Sequence, residues 1–146
     1  MAVINPYLTF KGNCEEAFNH YKKIFGGEFS YLGRFEEMPA EEGFELTDSQ
    51  KQKIMHICLP LGNGTLLMGS DSGDWAPKLT TGNNIAISIR VKSKEEADKL
   101  FNGLAKGGQV TMPIENVFWG DYFGMCVDKF DINWMVSFNP EHIVEQ

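Results

Sequence analysis

The chain repeats one pattern of secondary-structure signals, and this duplication limits the folds that are open to it. In each half, a strand pattern is followed by Glu-Glu-Ala at a predicted helix start and by Gly-Gly at its end. The helix starts (Glu15 and Glu95) are offset by 80 residues, and the glycine pairs (Gly26 and Gly107) by 81. Two copies of a β-α-β-β-β unit account for nearly the whole chain of 146 residues. We therefore predict an α+β fold built from two βαβββ modules, about 1–75 and 83–140, within one domain.

The first module has a helix between its first two strands. Asn13 is a predicted N-cap, with Glu16 three residues later as in a capping box. Apolar residues at helical spacing continue the helix to about Phe25. Gly62-Asn63-Gly64 predicts a hairpin turn. Strands are predicted at 3–10, 28–35, 53–61 and 65–71, and the acidic segment 36–50 is interpreted as a mobile loop or flap.

The second module repeats this order. Ser93 can cap a helix over about 94–105, with Glu96 three residues on. The predicted strands are 84–91, 109–112, 120–127 and 133–138. Each module thus offers one helix to cover one face of a curved sheet. The other face must pack against a second sheet or enclose a ligand, so the duplicated unit predicts a cleft for a small molecule.

Charge and hydropathy exclude several partners. The net charge is −7 and no Lys/Arg-rich run occurs, so nucleic acid and anionic membranes are not expected partners. No stretch approaches the roughly 20 apolar residues of a spanning helix. The first residues, from Met1 onward, lack the basic and apolar regions of a signal peptide. We therefore expect a cytoplasmic protein.

The three cysteines fit a reducing compartment, because they are odd in number, widely spaced and form no CxxC pair. We interpret Cys58 and Cys126 as small buried hydrophobic residues. Cys14 lies near a predicted helix start, where the pKa of a thiol can fall, so a reactive role stays open for it.

Several motifs in both halves resemble the PhnB-like branch of the vicinal-oxygen-chelate superfamily, which includes glyoxalases, bleomycin-resistance proteins and dioxygenases. The most specific motif is Phe-Trp-Gly-Asp-Tyr-Phe-Gly at 118–124. The others are Pro6–Ala17, Phe25-Gly26-Gly27, Met68-Gly69-Ser70-Asp71, Gly82-Asn83-Asn84, Glu95-Glu96-Ala97-Asp98, Asp128-Lys129-Phe130 and Asn133-Trp134-Met135.

The resemblance implies paired βαβββ modules with cupped sheets, commonly assembled as a homodimer. In metal-dependent members, four His, Glu or Gln ligands on the cup floor hold a divalent cation that chelates substrate oxygens. The corresponding positions here are Pro6, Met68, Asn84 and Met135. Proline offers no side-chain ligand atom and the methionine thioether is too soft for such cations. We therefore predict no metal site and no cofactor.

The candidate site residues come partly from this resemblance and partly from the aromatic and polar residues predicted around the cleft. We assign the ligand pocket to Met68, Asn84, Ser88, Trp119, Tyr122, Trp134 and Met135. His56 lies inside a predicted strand, where an ordinary hydrogen-bonded histidine is the alternative to a pocket acid or base. Asp71 and Tyr122 are the other catalytic candidates. Asp71 and Asp121 are candidates for recognising a cationic ligand. The alternative is that both are ordinary surface carboxylates in contact with solvent.

Two functions remain open. The first is a metal-free binding protein that sequesters or carries a small, partly aromatic molecule. The second is a lyase or isomerase of the glyoxalase-like superfamily acting on a small oxygenated substrate. Sequences of this branch often carry the label of a 3-demethylubiquinone methyltransferase. The chain has no glycine-rich strand-to-helix turn of the kind that holds S-adenosylmethionine, so we do not expect that activity. Whether the modules pair within one chain or between two also stays open.

Overall fold

A computed structural model describes residues 1–39 and 45–142. The chain divides into two compact units, Met1–Thr80 and Thr81–Gln146. Among the described residues, no helix is long and apolar enough to cross a membrane. Each unit follows the predicted β-α-β-β-β order, and each sheet has four strands.

The first unit contains four strands and two helices. Its sheet has the order β1-β4-β3-β2, with β1 parallel to β4 and the other pairs antiparallel. The elements are β1 (Tyr7–Phe10), α1 (Cys14–Phe25), β2 (Tyr31–Arg34), α2 (Asp48–Lys51), β3 (Ile54–Gly62) and β4 (Thr65–Asp71).

The second unit repeats that topology without the short helix. Its sheet order is β5-β8-β7-β6, again with one parallel pair, β5 and β8. The elements are β5 (Ile87–Val91), α3 (Lys94–Ala105), β6 (Gln109–Asn116), β7 (Tyr122–Val127) and β8 (Asn133–Phe138). The duplication predicted from the sequence is therefore present as two sheets of equivalent strand order.

Each of the two long helices covers one face of its own sheet, and a strand glycine permits the close approach. In the first unit, a Cβ atom at Gly69 would lie 2.7 Å from the Phe18 ring of α1. In the second unit, a Cβ atom at Gly124 would lie 2.9 Å from the Phe101 ring of α3. Buried phenylalanine rings thus pack directly on the sheet backbone, and the opposite faces of the two sheets do not meet these helices.

Three local predictions were wrong. Asn13 makes no side-chain cap to α1, whereas the Ser93 side chain accepts the Glu96 N–H as predicted. The acidic segment 36–50 is not an uninterrupted loop, because α2 and the end of a 3₁₀ helix over Phe35–Glu37 lie in it. Residues 40–44 of that segment lie outside the described part of the chain. The strands β1 and β5 begin later than predicted, at Tyr7 and Ile87.

Candidate functional site

The face of the first sheet opposite α1 carries a row of side chains contributed by all four strands. Tyr7 is the register partner of Met68, Met68 of Cys58, and Cys58 of Tyr31. Side chains two residues apart on a strand share a face, so His56 and Ser70 join this group. Tyr7 and Tyr31 remain 48% exposed. We call Tyr7, Tyr31, His56 and Met68 the tyrosine–histidine face.

His56 is the centre of the tyrosine–histidine face. Its ring centroid lies 5.6 Å from that of Tyr7, in a stacked arrangement with an interplanar angle of 21°. The ring of Tyr31 lies 5.6 Å away as well, tilted by 42°. The Tyr7 hydroxyl and His56 Nδ1 share a hydrogen bond of 3.2 Å. Two aromatic rings therefore orient the imidazole, and the hydrogen bond fixes one of its two nitrogens.

Asp71, another catalytic candidate from the sequence, does not share a face of the sheet with His56. Asp71 alternates with Ser70 along β4, so it lies on the α1 side of the sheet and is only 4% exposed. Its Oδ1 accepts the backbone N–H groups of Gly12 and Cys14, and its Oδ2 accepts that of Ile54. This carboxylate satisfies the start of α1 in place of the predicted Asn13 cap.

The face of the second sheet opposite α3 carries a different cluster. The ring of Trp119 contacts that of Phe123, with centroids 5.5 Å apart. The Trp119 indole donates to Asp121 Oδ2 at 3.1 Å, and the Asn139 amide donates to Asp121 Oδ1 at 2.8 Å. Arg90 Nη2 lies 4.0 Å from Asp121. Because Asp121 already has these partners, it is not a solvated carboxylate awaiting a cationic ligand.

Tyr122 and Trp134 lie on the other side of the second sheet. The Tyr122 hydroxyl donates to Asp98 of α3 at 2.5 Å, and the Lys94 ammonium lies over its ring. The hydrogen bond to Asp98 raises the pKa of Tyr122. Trp134 is 1% exposed and donates from its indole to Asp128 at 2.8 Å. Strand alternation places Phe123 and Tyr122 on opposite faces, while Trp119 lies in the turn before β7; Tyr122 and Trp134 belong to the helix side.

The four positions at which the superfamily holds a metal do not supply suitable ligands. In the first sheet, the residue beside Met68 is Tyr7, not Pro6. In the second sheet, Met135 pairs with Ser88, and Asn84 is exposed and precedes β5. A phenol, a serine hydroxyl and two thioethers are a poor set for a hard divalent cation. Within residues 1–39 and 45–142, no three His, Cys, Asp or Glu side chains are grouped to hold one.

The cysteines are free and buried at Cys14, Cys58 and Cys126. Burial raises the pKa of the Cys14 thiol far above its ordinary value, and the charges of Asp71 and Glu15 add to the effect. Burial and then the charge of Asp128 raise the pKa of Cys126 to about 11. A reactive Cys14 would need a lowered thiol pKa. Its position at the start of α1 does not lower that pKa, so the reactive role is not supported.

A glyoxalase-related enzyme from Fulvimarina pelagi shares the fold with a TM-score of 0.68 at 18% identity, over 99% of this chain and 93% of that one. The chain therefore has the fold of the glyoxalase/bleomycin-resistance/dioxygenase superfamily. A family model described as 3-demethylubiquinone-9 3-methyltransferase matches residues 2–137, and the chain belongs to that family.

Two solved structures are more similar in sequence. Protein PA1353 from Pseudomonas aeruginosa is 40% identical with a TM-score of 0.83, over 95% of this chain and 98% of that one. The PhnB protein from Bacillus cereus is 26% identical with a TM-score of 0.72, over 94% of this chain and 99% of that one. The PhnB-like resemblance inferred from the motifs is thus confirmed.

The sequence did not reveal Tyr7 and Tyr31 as site residues. Each begins a four-residue strand, and only the strand order β1-β4-β3-β2 brings both rings to His56. The alternation of apolar Leu8 and Phe10 with Tyr7 and Thr9 in the sequence could have indicated that Tyr7 faces away from the helix. Nothing in the sequence indicated its distant partner.

Proposed function

We propose that the chain binds a small, flat, partly aromatic molecule on its tyrosine–histidine face, without a divalent metal of the superfamily's kind. One observation carries the proposal: His56 is held between the rings of Tyr7 and Tyr31, both of them half exposed. Aromatic rings with a polar tip offer stacking surface and a hydrogen-bonding group together. In the second unit, Trp119 is 49% exposed and packs against the buried ring of Phe123.

A thermal-shift screen of the intact protein against small aromatic molecules tests this proposal. A specific ligand raises the melting temperature with the logarithm of its concentration above Kd. We expect Tyr31→Ala and His56→Ala each to weaken the ligand found by about three- to tenfold, from the loss of one ring contact.

The matched control is Tyr122→Phe, because Tyr122 lies on the α3 side of its sheet. That variant should bind the same ligand with unchanged affinity. The proposal fails if no aromatic compound stabilises the protein, or if a stabilising ligand binds both the Tyr31 and His56 variants as tightly as it binds the parent chain.

A lyase or isomerase is the second candidate function. The hydrogen bond between the Tyr7 hydroxyl and His56 Nδ1, at 3.2 Å, favours it, because it leaves Nε2 as the nitrogen that meets a ligand. A positioned imidazole can move a proton at near-neutral pH. Turnover of a small oxygenated substrate that disappears in His56→Asn while ligand affinity persists would select this function over simple binding.

The methyltransferase activity in the family description is not part of the proposal. The turn between β1 and α1 is the kind of place where a cofactor phosphate or carboxylate meets backbone N–H groups. Here the N–H groups of Gly12 and Cys14 are already bonded to Asp71. A binding assay with S-adenosylmethionine should therefore give no stabilisation.

We also propose that the protein is a cytoplasmic homodimer. The dimer rests on the resemblance to the superfamily, and the cytoplasm on the three free, buried cysteines, which suit a reducing compartment. Light scattering should give twice the chain mass of 16.5 kDa. A mass of one chain would overturn the dimer, and recovery of the protein outside the cytoplasmic fraction would overturn the localisation.

A further inference from the structure

The first unit has a concave site at one end of its sheet, lined by other residues than the tyrosine–histidine face. This cavity has a volume of about 490 Å³, which lies within the range of small-molecule sites. The parallel strands β1 and β4 end here, and β3 begins here. Its wall is formed by the segments that follow β1 and β4, the segment that precedes β3, and α2.

The wall of the cavity is positively charged. Among the described residues that line it, Lys11, Lys53 and Lys78 are cationic and Asp74 is anionic. The three lysines come from three segments that are distant in sequence, following β1, preceding β3 and following β4. The whole chain carries a net charge of −7, so the positive charge of this cavity is opposite in sign to that of the chain as a whole.

Lys53 is fixed at this wall. Its ammonium donates to the carbonyl oxygen of Gly12 at 2.9 Å, and the residue is only partly exposed. An ammonium has three N–H donors, so this bond leaves donor capacity for an anion. Lys11 and Lys78 are exposed and flank the same cavity. Asp74 accepts a hydrogen bond from the side-chain amide of Gln50, and its single negative charge leaves the wall with a net positive charge.

Hydroxyl groups complete the lining. Ser49 lies on α2 and Ser72 follows β4, and both border the cavity. The start of α1 does not serve as the anion anchor, because Asp71 already accepts the Gly12 and Cys14 N–H groups. The donors that remain are ammonium and hydroxyl groups, which suit the several acceptor oxygens of a phosphate.

We propose that this cavity binds a small organic phosphate. The phosphate group contacts Lys11, Lys53 and Lys78, and the remaining volume holds the organic part. The proposal is independent of the aromatic ligand proposed above, because it uses neither Tyr7 nor His56.

A titration of the ¹⁵N-labelled protein followed by heteronuclear NMR tests the proposal, in a phosphate-free buffer at constant ionic strength. The probes are inorganic phosphate, glycerol phosphate and, as the neutral counterpart, glycerol. We expect saturable shifts of the amide signals of Gly12, Ser49, Ser72 and Gly73 with both phosphates and none with glycerol. Glycerol phosphate should bind more tightly than inorganic phosphate.

The double variant Lys11→Gln/Lys78→Gln should weaken binding of glycerol phosphate by about tenfold or more, since charged donors contribute most of the attraction. Both side chains are exposed, so the variant should fold. The control is Lys23→Gln, which removes an exposed lysine of α1 that does not line the cavity. His56→Asn should also leave phosphate binding intact, which separates this proposal from the first.

Absence of saturable shifts with either phosphate would overturn the proposal. So would equal affinity in the double variant and the parent chain, because the lysines would then not form the site. Shifts confined to amides outside the cavity would also overturn it.

Discussion

At the scale of single residues, Asp71 connects three segments of the first unit through its two carboxylate oxygens. It accepts N–H groups from the turn before α1, from the first residue of α1 and from the first residue of β3. An asparagine has one oxygen and one NH₂ group, so it can accept on one side only. The three N–H groups therefore need the two acceptor oxygens of a carboxylate as well as its negative charge.

We expect Asp71→Asn to lower the free energy of unfolding by about 1.5–3 kcal/mol, because one buried N–H loses a charged acceptor. Urea denaturation measures the change. The control is Asp74→Asn, an exposed carboxylate three residues away, which should lower stability by less than about 0.5 kcal/mol. Equal losses in the two variants would show that the backbone bonds of Asp71 contribute little.

The buried thiol of Cys126 should make the free energy of unfolding depend on pH in the alkaline range. Burial, with a smaller contribution from Asp128, raises its pKa from 9.0 to about 11 in the folded chain. Between these values the unfolded chain releases the thiol proton and the folded chain keeps it, so unfolding becomes more favourable. The contribution of this thiol to stability is complete below pH 9.0 and declines as the pH approaches 11.

Denaturation of the parent chain and of Cys126→Ala at pH 8, 9, 10 and 11 isolates this effect. The difference in stability between the two chains should shrink above about pH 9, because alanine does not titrate. Other groups titrate in both chains and cancel in the difference. A difference that stays constant to pH 11 would contradict the assignment.

At the scale of elements, the two long helices begin in different ways although both were predicted to have a polar cap. Ser93 accepts the N–H of Glu96 at 3.1 Å, whereas Asn13 makes no side-chain cap. The N–H at the start of α1 is bonded to Asp71, which lies 57 residues further along the chain. A capping pattern in sequence cannot reveal a competitor from a distant strand.

We expect Ser93→Ala to lower the free energy of unfolding by about 1 kcal/mol, since the cap loses its acceptor. Asn13→Ala should change stability by less than about 0.5 kcal/mol, because no cap bond is lost. The pair of variants, measured by thermal or urea unfolding, forms an internal comparison. A larger loss at Asn13 than at Ser93 would contradict the observed caps.

Local sequence patterns predicted the two long helices and the strands, but not the short helix α2 and not all of the site. Helix α3 was predicted with its observed bounds, 94–105, because its cap, apolar spacing and glycine stop are all local signals. The pairing of Tyr7 and Tyr31 with His56 depends on strand order, which brings together residues from three separate strands. Tyr122 and Trp134 were misplaced because an aromatic residue on a strand gives no indication of which face is covered by a helix.

At the scale of the whole molecule, the duplicated topology carries equivalent positions through both units. Tyr7 beside Met68 in the first sheet corresponds to Ser88 beside Met135 in the second, since both pairs join the parallel strands on the face opposite the helix. A phenol, a hydroxyl and two thioethers at these matching positions are not the ligands that a hard divalent cation prefers.

This correspondence predicts how the protein responds to metals. Extended dialysis against EDTA should leave its melting temperature unchanged, because no metal ligand set of the superfamily's kind stabilises the fold. Addition of Mn²⁺, Ni²⁺ or Zn²⁺ in modest excess should likewise raise the melting temperature by less than about 1 °C, since a ligand stabilises only as far as it binds the folded state. A variant that carries Tyr7→His and Met68→Glu provides the positive comparison, because it places an imidazole and a carboxylate, both common metal ligands, side by side on β1 and β4. Stabilisation of the parent chain by a stoichiometric metal, or loss of stability in EDTA, would overturn the prediction that the protein holds no metal. Neither result would decide whether the tyrosine–histidine face binds an aromatic ligand, because the thermal-shift screen tests that separately.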